Sequence, residues 1–367
     1  MRQDVSGETH EEPMAKLIPE GRSALIWVVG LLVSMSIVLV LPAPEAAKGL
    51  SGYVPLHVFM EFGAASVAAM VFGICWVTQQ FRSNVRALVV GCAFLGVALL
   101  DMGHTLSFRG MPDFITSNGA EKGIQFWLAA RALAAIALLV VALWPDHFLQ
   151  NATSRSRYMW LAASFMVVAA VYGVILTLPE YLPRTFSIEE GLTHFKVGFE
   201  YVVMGVHILA AVVFLARGPR SDRMGTTQLA LASLTMALAE FFFTLYADVT
   251  DIYNLVGHAY KILGYVFLYR GLFVQTVQQP YTDLLDAQAQ QQATLSTLPD
   301  LLFEVDEQGV YRAVFASDEH LLVRPRNELI GSNIRDVLPP EAVAICFEAL
   351  AEARVQGCSR GKQIELP

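Results

Sequence analysis

Histidine and carboxylate side chains occur in pairs inside stretches of the sequence that are otherwise apolar enough to lie in a membrane. The stretch GVALLDMGHTLSF places Asp101 and His104 three residues apart, and another stretch places His57 and Glu61 four residues apart. Such spacings put both members of a pair on one face of a helix. Imidazole and carboxylate groups suit zinc, iron, copper or manganese ions, so the pairs point to metal binding.

Further ionisable residues interrupt the neighbouring apolar stretches. His258 and Lys261 share a helical face, while Arg131, Glu200 and Glu240 each lie in a different stretch. At a rise of 1.5 Å per residue, these residues and the two pairs lie within about 10 Å of the same predicted membrane surface. The opposite halves of these stretches carry almost no charge. We therefore expect six helices to line one polar cavity that opens to the periplasm.

Placing charged groups in a membrane is energetically unfavourable, so a set of them in one region favours a functional interpretation. A charge at the centre of the bilayer costs about 2.5–3.5 kcal/mol on insertion scales. A purely structural alternative is that polar pairs such as His57–Glu61 or Arg131–Glu240 only hold helices together. The set as a whole favours a ligand site.

Three kinds of ligand fit the residue types. His57, His104 and His258 are predicted metal ligands, and two of these imidazoles could instead bind a haem from opposite sides. A small organic or anionic ligand is the other alternative, with Arg131 and Lys261 as its cationic contacts. The predicted ligand-binding residues besides the histidines are Glu61, Asp101, Arg131, Glu200, Glu240 and Lys261.

The composition indicates an integral membrane protein. Hydrophobic residues make up 55% of the 367 positions and charged residues 16%, against about 25% charged in an average soluble domain. No long basic block is present, so the sequence does not indicate a nucleic-acid partner. A membrane helix needs about 20 apolar residues. Eight windows meet this requirement: 24–41, 57–80, 87–107, 124–144, 158–178, 197–216, 227–247 and 256–275.

The distribution of Lys and Arg predicts the orientation. If the polar tail 1–23 is cytoplasmic, the inner segments hold ten Lys and Arg residues and the outer segments five. This bias follows the positive-inside rule. An even number of spans returns the C-terminus to the cytoplasm. Both termini are therefore predicted to lie in the cytoplasm.

The character of the chain changes after the predicted membrane domain 24–277. Residues 278–298 are rich in Gln and Ala and predict a helical linker, which could form a short coiled coil across a homodimer. In 299–367, two alternating runs flank Asp306-Glu307-Gln308-Gly309, which is typical of a hairpin. A helical region follows, and KQIELP predicts the start of another strand. We expect this chain to be part of a longer protein.

Several long motifs resemble the MASE3 family of bacterial membrane-associated sensor regions, over about residues 24–285. Residues 294–367 resemble the first part of a PAS domain. The resemblance to MASE3 implies that Trp127 belongs to the polar pattern together with the residues named above, and Trp127 is therefore also a predicted ligand-binding residue. The motifs that carry it are HVFMEF, LLDMGHTLSFRGMP, FWLAARALAA, FSIEEGLTHFKVGFEYVV, AEFFFTLYADVTDIYNLVGHAYKILGYVFLYRGLF and QQPYTDLL.

The resemblance implies a sensor in the inner membrane of a bacterium that controls a cytoplasmic output. That output is typically a diguanylate cyclase with a GGDEF domain, or otherwise a histidine kinase. The 367 residues contain neither a GGDEF-like stretch nor the phospho-acceptor histidine motif of a kinase. The expected fold is an all-α membrane protein with eight spans, followed by a truncated α+β PAS-like domain. The expected function is a receptor for a periplasmic ligand, metal or haem, with a signal passed through the last membrane helix. The alternatives are a membrane metalloenzyme acting on a lipid or quinone, and a plain anchor and dimerisation module.

Overall fold

The computed structural model divides into two compact units, one ending at Pro280 and the other starting at Tyr281. Each unit is described by itself. The described residues are 14–40, 52–80, 84–144, 154–187, 191–217, 223–246, 248–296, 301–316 and 319–364.

The first unit is a bundle of long helices. Its described elements include α1 (Met14–Val40), α2 (Tyr53–Thr78), α3 (Val85–Leu106), α4 (Ala120–Leu143), α5 (Ser154–Thr177), α6 (His194–Arg217), α7 (Arg223–Phe243) and α8 (Ile252–Phe273). A short hairpin of β1 (Phe186–Ser187) and β2 (Gly191–Leu192) precedes α6. The first helix begins at Met14, ten residues before the predicted membrane domain.

Seven of the described helices, α1 to α7, are long and apolar enough to cross a membrane. The predicted all-α membrane fold is confirmed. Helix α8 is of similar length, but it contains Asn254, His258, Lys261 and Arg270 and falls outside this set. A span by α8 therefore stays a prediction.

The bundle has an interior and a lipid-compatible exterior. Helices α3 and α4 are buried over most of their length, whereas α1 and α5 expose most of their apolar side chains. Side-chain caps fix the beginnings of two helices: Asn84 accepts a hydrogen bond from the Ala87 N–H, and Asp251 from the Tyr253 N–H. Such caps satisfy amide groups that have no partner within the helix.

Helices α7 and α8 approach closely because glycines recur on one face of α8. Gly257, Gly264 and Gly271 are seven residues apart, and α7 packs on all three. A Cβ atom at Gly264 would lie 2.9 Å from Met236 Cγ and 3.4 Å from the Ala232 carbonyl oxygen. Small residues allow such close approach of helix backbones in membranes.

Replacing Gly264 by a large residue should therefore destabilise the bundle. Gly264→Leu is expected to lower the free energy of unfolding by about 1–3 kcal/mol through overpacking. Gly63→Leu is the control, because a Cβ at Gly63 meets no atom within 4 Å. Thermal unfolding of the purified protein in detergent measures both. Equal melting temperatures for the two variants would contradict the close packing.

A π-helical turn follows α8 without a break. It comprises Val274–Gln278 and leads directly into α9 (Gln279–Ser296). The predicted linker helix over 278–298 thus corresponds to α9. Single π-helical turns inside longer helices often mark functional positions.

The second unit contains the predicted hairpin. Strands β3 (Leu302–Val305) and β4 (Tyr311–Phe315) pair antiparallel around the turn at Asp306–Gly309. Helices α10 (Arg326–Leu329), α11 (Ile334–Val337) and α12 (Pro340–Gln356) follow. A small core contains Tyr311, Val314, Leu329 and Ile334. The strand predicted from KQIELP is not formed at Lys362–Ile364, and its last residues lie outside the described part.

The hairpin turn is held by the Asp306 carboxylate. Its Oδ1 accepts hydrogen bonds from the N–H groups of Val310 at 2.8 Å and Gln308 at 3.0 Å, and Arg312 donates to Oδ2 at 2.7 Å. The hydrogen bond from Val310, assisted by Arg312, lowers the pKa of Asp306 below its ordinary value. A carboxylate with a lowered pKa stabilises the folded state above its unfolded pKa, and this contribution disappears as the pH falls through the folded pKa.

Asp306→Asn should accordingly weaken the hairpin at neutral pH and change little in strong acid. The wild-type hairpin is expected to lose protection as the pH falls below about 4, whereas the variant should show a flatter pH profile. Hydrogen exchange of the peptide that covers the hairpin, corrected for intrinsic rates, measures this difference. Parallel pH profiles would show that Asp306 does not hold the turn as a carboxylate.

Candidate functional site

Three histidines and one carboxylate from three helices converge in the first unit. His57 and Glu61 lie on α2, His104 on α3 and His258 on α8. Each residue offers a donor atom, and the four donor atoms all lie within 4.8 Å of one another. The exposed fractions of the four residues are 5% or less. We name this group the histidine–glutamate cluster.

A backbone hydrogen bond orients His104 within the cluster. Its Nδ1 donates to the Gly123 carbonyl oxygen at 2.7 Å, and its Nε2 lies 3.2 Å from Nε2 of His57. Because Nδ1 carries the proton of the neutral ring, Nε2 directs its lone pair toward His57. Metal-binding histidines are commonly oriented in this way by a carbonyl group behind the ring. His57 Nδ1 is buried and has no hydrogen-bond partner among the described residues.

Aromatic rings enclose the imidazoles. Phe108 stacks on His57 with a centroid distance of 4.1 Å, and Trp127 lies 5.3 Å from His104 and 5.1 Å from His258. Phe243 packs 5.1 Å from His258. Packing of this kind limits the rotamers of the imidazoles, which keeps their nitrogens close together.

Glu61 connects the cluster to a lysine. Lys261 Nζ donates to Glu61 Oε1 at 2.6 Å and to Oε2 at 2.7 Å, and His258 Nδ1 lies 2.7 Å from Oε1. Lys261 is on α8, one turn after His258. The ion pair therefore joins α2 to α8 beside the imidazoles.

A second ion pair, between Asp101 and Arg131, lies next to the pair of Glu61 and Lys261. Arg131 on α4 donates to the Asp101 oxygens on α3 at 2.8 and 3.0 Å, and to the hydroxyl oxygen of Tyr265 at 2.6 Å. The Tyr265 hydroxyl and the Asp101 Oδ2 are 3.2 Å apart. Lys261 Nζ is 3.4 Å from the same Asp101 oxygen. Glu61, Lys261, Asp101 and Arg131 thus form one continuous network.

The remaining predicted residues lie around a third pair. Lys196 on α6 donates to Glu200 Oε2 at 2.7 Å and to the Phe243 carbonyl oxygen. Glu240 on α7 is also buried. Glu200 Oε1 and Glu240 Oε2 have no hydrogen-bond partner among the described residues.

The structure places the predicted site residues at one end of the bundle. They are packed closely together, and the cavity next to them is small. A cavity of about 20 Å³ is lined by His104, Trp127 and His258, and reaches Arg109 and Gly119 in the loop between α3 and α4. This is about the room that one water molecule needs. Arg131 pairs with Asp101, and not with Glu240 as the structural alternative supposed.

Sequence reasoning missed two groups of the site: the Tyr265 hydroxyl, which contacts Arg131, and the Gly123 carbonyl, which contacts His104. Tyr265 follows Lys261 by four residues and His258 by seven, so helical spacing could have indicated that it shares their face. The carbonyl of Gly123 gives no signal in a single sequence, because any residue supplies a carbonyl oxygen.

The fold and the buried network define a multi-pass helical membrane protein with an ionisable interior. The model of the MASE3 family, described as a membrane-associated sensor domain, matches residues 49–280. Because this match covers more than half of the chain, the chain belongs to the MASE3 family and carries a membrane-associated sensor domain. No curated protein and no solved structure matches the chain.

Removing one partner of the Asp101–Arg131 pair should strongly destabilise the bundle. Asp101→Ala leaves a buried guanidinium without its carboxylate, which costs about 3–5 kcal/mol. Replacing both partners, with Asp101→Leu and Arg131→Met, should recover most of this loss. Unfolding in mixed micelles measures the free energies.

Asp113→Ala is the matched control, because Asp113 is exposed in the loop between α3 and α4. This variant is expected to lower the free energy of unfolding by about 1 kcal/mol or less, which is the typical contribution of one hydrogen bond. The buried pair would lose its assigned role if Asp101→Ala were as stable as the control.

Proposed function

We propose that this sensor domain responds to a divalent transition-metal ion held by the histidine–glutamate cluster. The observation that carries the proposal is the convergence of four donor atoms from three helices within 4.8 Å, all of them on buried residues. Three imidazoles and one carboxylate form a donor set for zinc, iron or copper. An ion bound there would join α2, α3 and α8 at one point.

The dimensions support a metal ion rather than a haem or an organic ligand. A tetrahedral ion with bonds of about 2.0–2.1 Å needs donor atoms roughly 3.3–3.4 Å apart. The two histidine nitrogens that face each other are already 3.2 Å apart. Drug-sized ligands occupy pockets of roughly 300–1,000 Å³, far more than the cavity beside His104 and His258 provides.

The route of entry proposed for the ion is the small cavity at the α3–α4 loop. It extends from the exposed Arg109 to His104 and His258. In the predicted topology this end of the bundle faces the periplasm, and both termini are in the cytoplasm of a bacterial cell. The topology requires α8 to be the eighth span.

The proposed signal path is α8. This helix carries His258, Lys261 and Tyr265, packs on α7 through its glycines, and continues through the π-helical turn Val274–Gln278 into α9. An ion can shift the equilibrium between two helix arrangements only if it binds one of them more tightly. Coordination by His258 would favour the arrangement in which α8 is close to α2 and α3.

The proposed output lies in the cytoplasm. We infer that α9 and the PAS-like second unit form a homodimer, which passes the state of the membrane domain to a diguanylate cyclase or, failing that, a histidine kinase. The Gln- and Ala-rich composition of α9 and the hairpin of β3 and β4 support this arrangement.

Zinc binding to the chain in lipid nanodiscs tests the proposal. After removal of metals with a chelator, the wild type is expected to bind about one Zn²⁺ per chain, measured by elemental analysis and chelator competition. His57→Gln and His104→Gln should each weaken binding by about tenfold or more, since each removes a ligand.

His207→Gln is the matched control, because His207 is equally buried in α6 but does not belong to the histidine–glutamate cluster. It should bind Zn²⁺ as the wild type does. The proposal would be wrong if the folded wild type bound no stoichiometric metal. It would also be wrong if the control lost as much affinity as His104→Gln.

A further inference from the structure

Two cations would compete for the Glu61 carboxylate: the ammonium group of Lys261 and the proposed metal ion. In the structure both of its oxygens accept hydrogen bonds from Lys261 Nζ, at 2.6 and 2.7 Å. The same carboxylate supplies the oxygen donor of the histidine–glutamate cluster. An ion that takes Glu61 as a ligand must therefore displace the ammonium group, or bind beside a positive charge that repels it.

A second carboxylate is within reach of the displaced ammonium. Asp101 Oδ2 lies 3.4 Å from Lys261 Nζ, slightly beyond the distance of a short charged hydrogen bond. The Trp127 ring lies 4.6 Å from the same nitrogen and offers a cation–π contact. A small movement of the flexible lysine side chain would thus exchange Glu61 for Asp101 without leaving a charge unpaired.

The Asp101 carboxylate can accept a hydrogen bond from a second cation. Its carboxylate already holds Arg131, and its Oδ2 lies close to both the Tyr265 hydroxyl and Lys261. A carboxylate has about four lone-pair positions and can accept from several donors at once. The exchange would add an ion pair between α8 and α3, while the ion bound by Glu61 and His258 would replace the lysine as the link between α8 and α2.

We propose that Lys261 is a built-in competitor for the metal ion. It holds Glu61 when the imidazoles carry no ion, and it moves to Asp101 when the ion takes Glu61. This inference rests on the proposed metal-sensing function and adds its regulation. Competition by a tethered ammonium sets the metal concentration at which the sensor responds. It also makes α8, which carries both His258 and Lys261, the helix that changes partners.

Removal of the lysine charge tests the competition. In the chain in nanodiscs, Lys261→Met is expected to bind Zn²⁺ about tenfold or more tightly than the wild type, a coupling of ordinary size for two linked events. Lys261→Gln should act in the same direction, and provides a polar variant if the Met variant does not fold. Chelator competition measures the affinities.

Lys196→Met is the matched control, because Lys196 is also a buried lysine that pairs with a glutamate. Its Zn²⁺ affinity should stay within about twofold of the wild type, because the carboxylate that Lys196 holds, Glu200, is not a member of the histidine–glutamate cluster. In the Glu61→Gln background, the gain from Lys261→Met should shrink, since the two groups no longer compete for a carboxylate.

An infrared measurement on the wild type does not depend on a lysine variant. With ¹⁵N-labelled lysine, the Zn²⁺-minus-apo difference spectrum is expected to contain an isotope-sensitive ammonium band. Absence of that band in a chain that binds one Zn²⁺ would overturn the competition, as would wild-type affinity in both folded Lys261 variants. These results would leave the metal site intact. Failure of the wild type and of the Lys261 variants to bind Zn²⁺ would instead reject the proposed function itself.

Discussion

Pairing of buried charge is the constraint on which this membrane domain depends. Ionised groups inside a membrane protein are tolerated where they face one another, water or a ligand. Here Glu61 pairs with Lys261, Asp101 with Arg131, and Glu200 with Lys196. These pairs use residues from α2, α3, α4, α6 and α8. The first two pairs join α2 to α8 and α3 to α4, so the contacts that neutralise their charges also fix the arrangement of these helices around the histidine–glutamate cluster. The third pair lies within α6.

Much of this arrangement could be predicted from one sequence, because depth along a helix follows directly from residue number. His57 and His258 lie near the beginnings of α2 and α8, and His104 lies near the end of α3, so all three are expected at the same end of the bundle, and the structure places them together. The pairing of charges could not be predicted in this way. Whether Arg131 meets Asp101 or Glu240 depends on the lateral order and the rotation of the helices, which tertiary packing decides.

Other features of the structure lacked a local signal in the sequence. The π-helical turn at Val274–Gln278 has no distinctive composition, and the carbonyl of Gly123 is invisible to a search for polar side chains. In contrast, the hairpin around Asp306–Gly309 was predicted correctly, since its turn residues and alternating strands are local. The strand expected from KQIELP does not form at Lys362–Ile364.

A sensor needs a bistable element and a ligand that distinguishes its two states. In the proposed mechanism, the histidine–glutamate cluster of this MASE3 domain binds the ion, and Lys261, whose two carboxylate neighbours lie on different helices, is the bistable element. Small residues at the α7–α8 contact bring these two helix backbones close together. Movement of α8 would consequently involve α7 as well, and would reach the π-helical turn that follows.

The most direct measurement is X-ray absorption at the zinc edge, on the nanodisc-embedded chain loaded with one equivalent of Zn²⁺. The account predicts a shell of nitrogen and oxygen ligands at about 2.0–2.1 Å, with the outer-shell scattering of three imidazoles. A sulfur shell at about 2.3 Å, or scattering from fewer than two imidazoles, would contradict it.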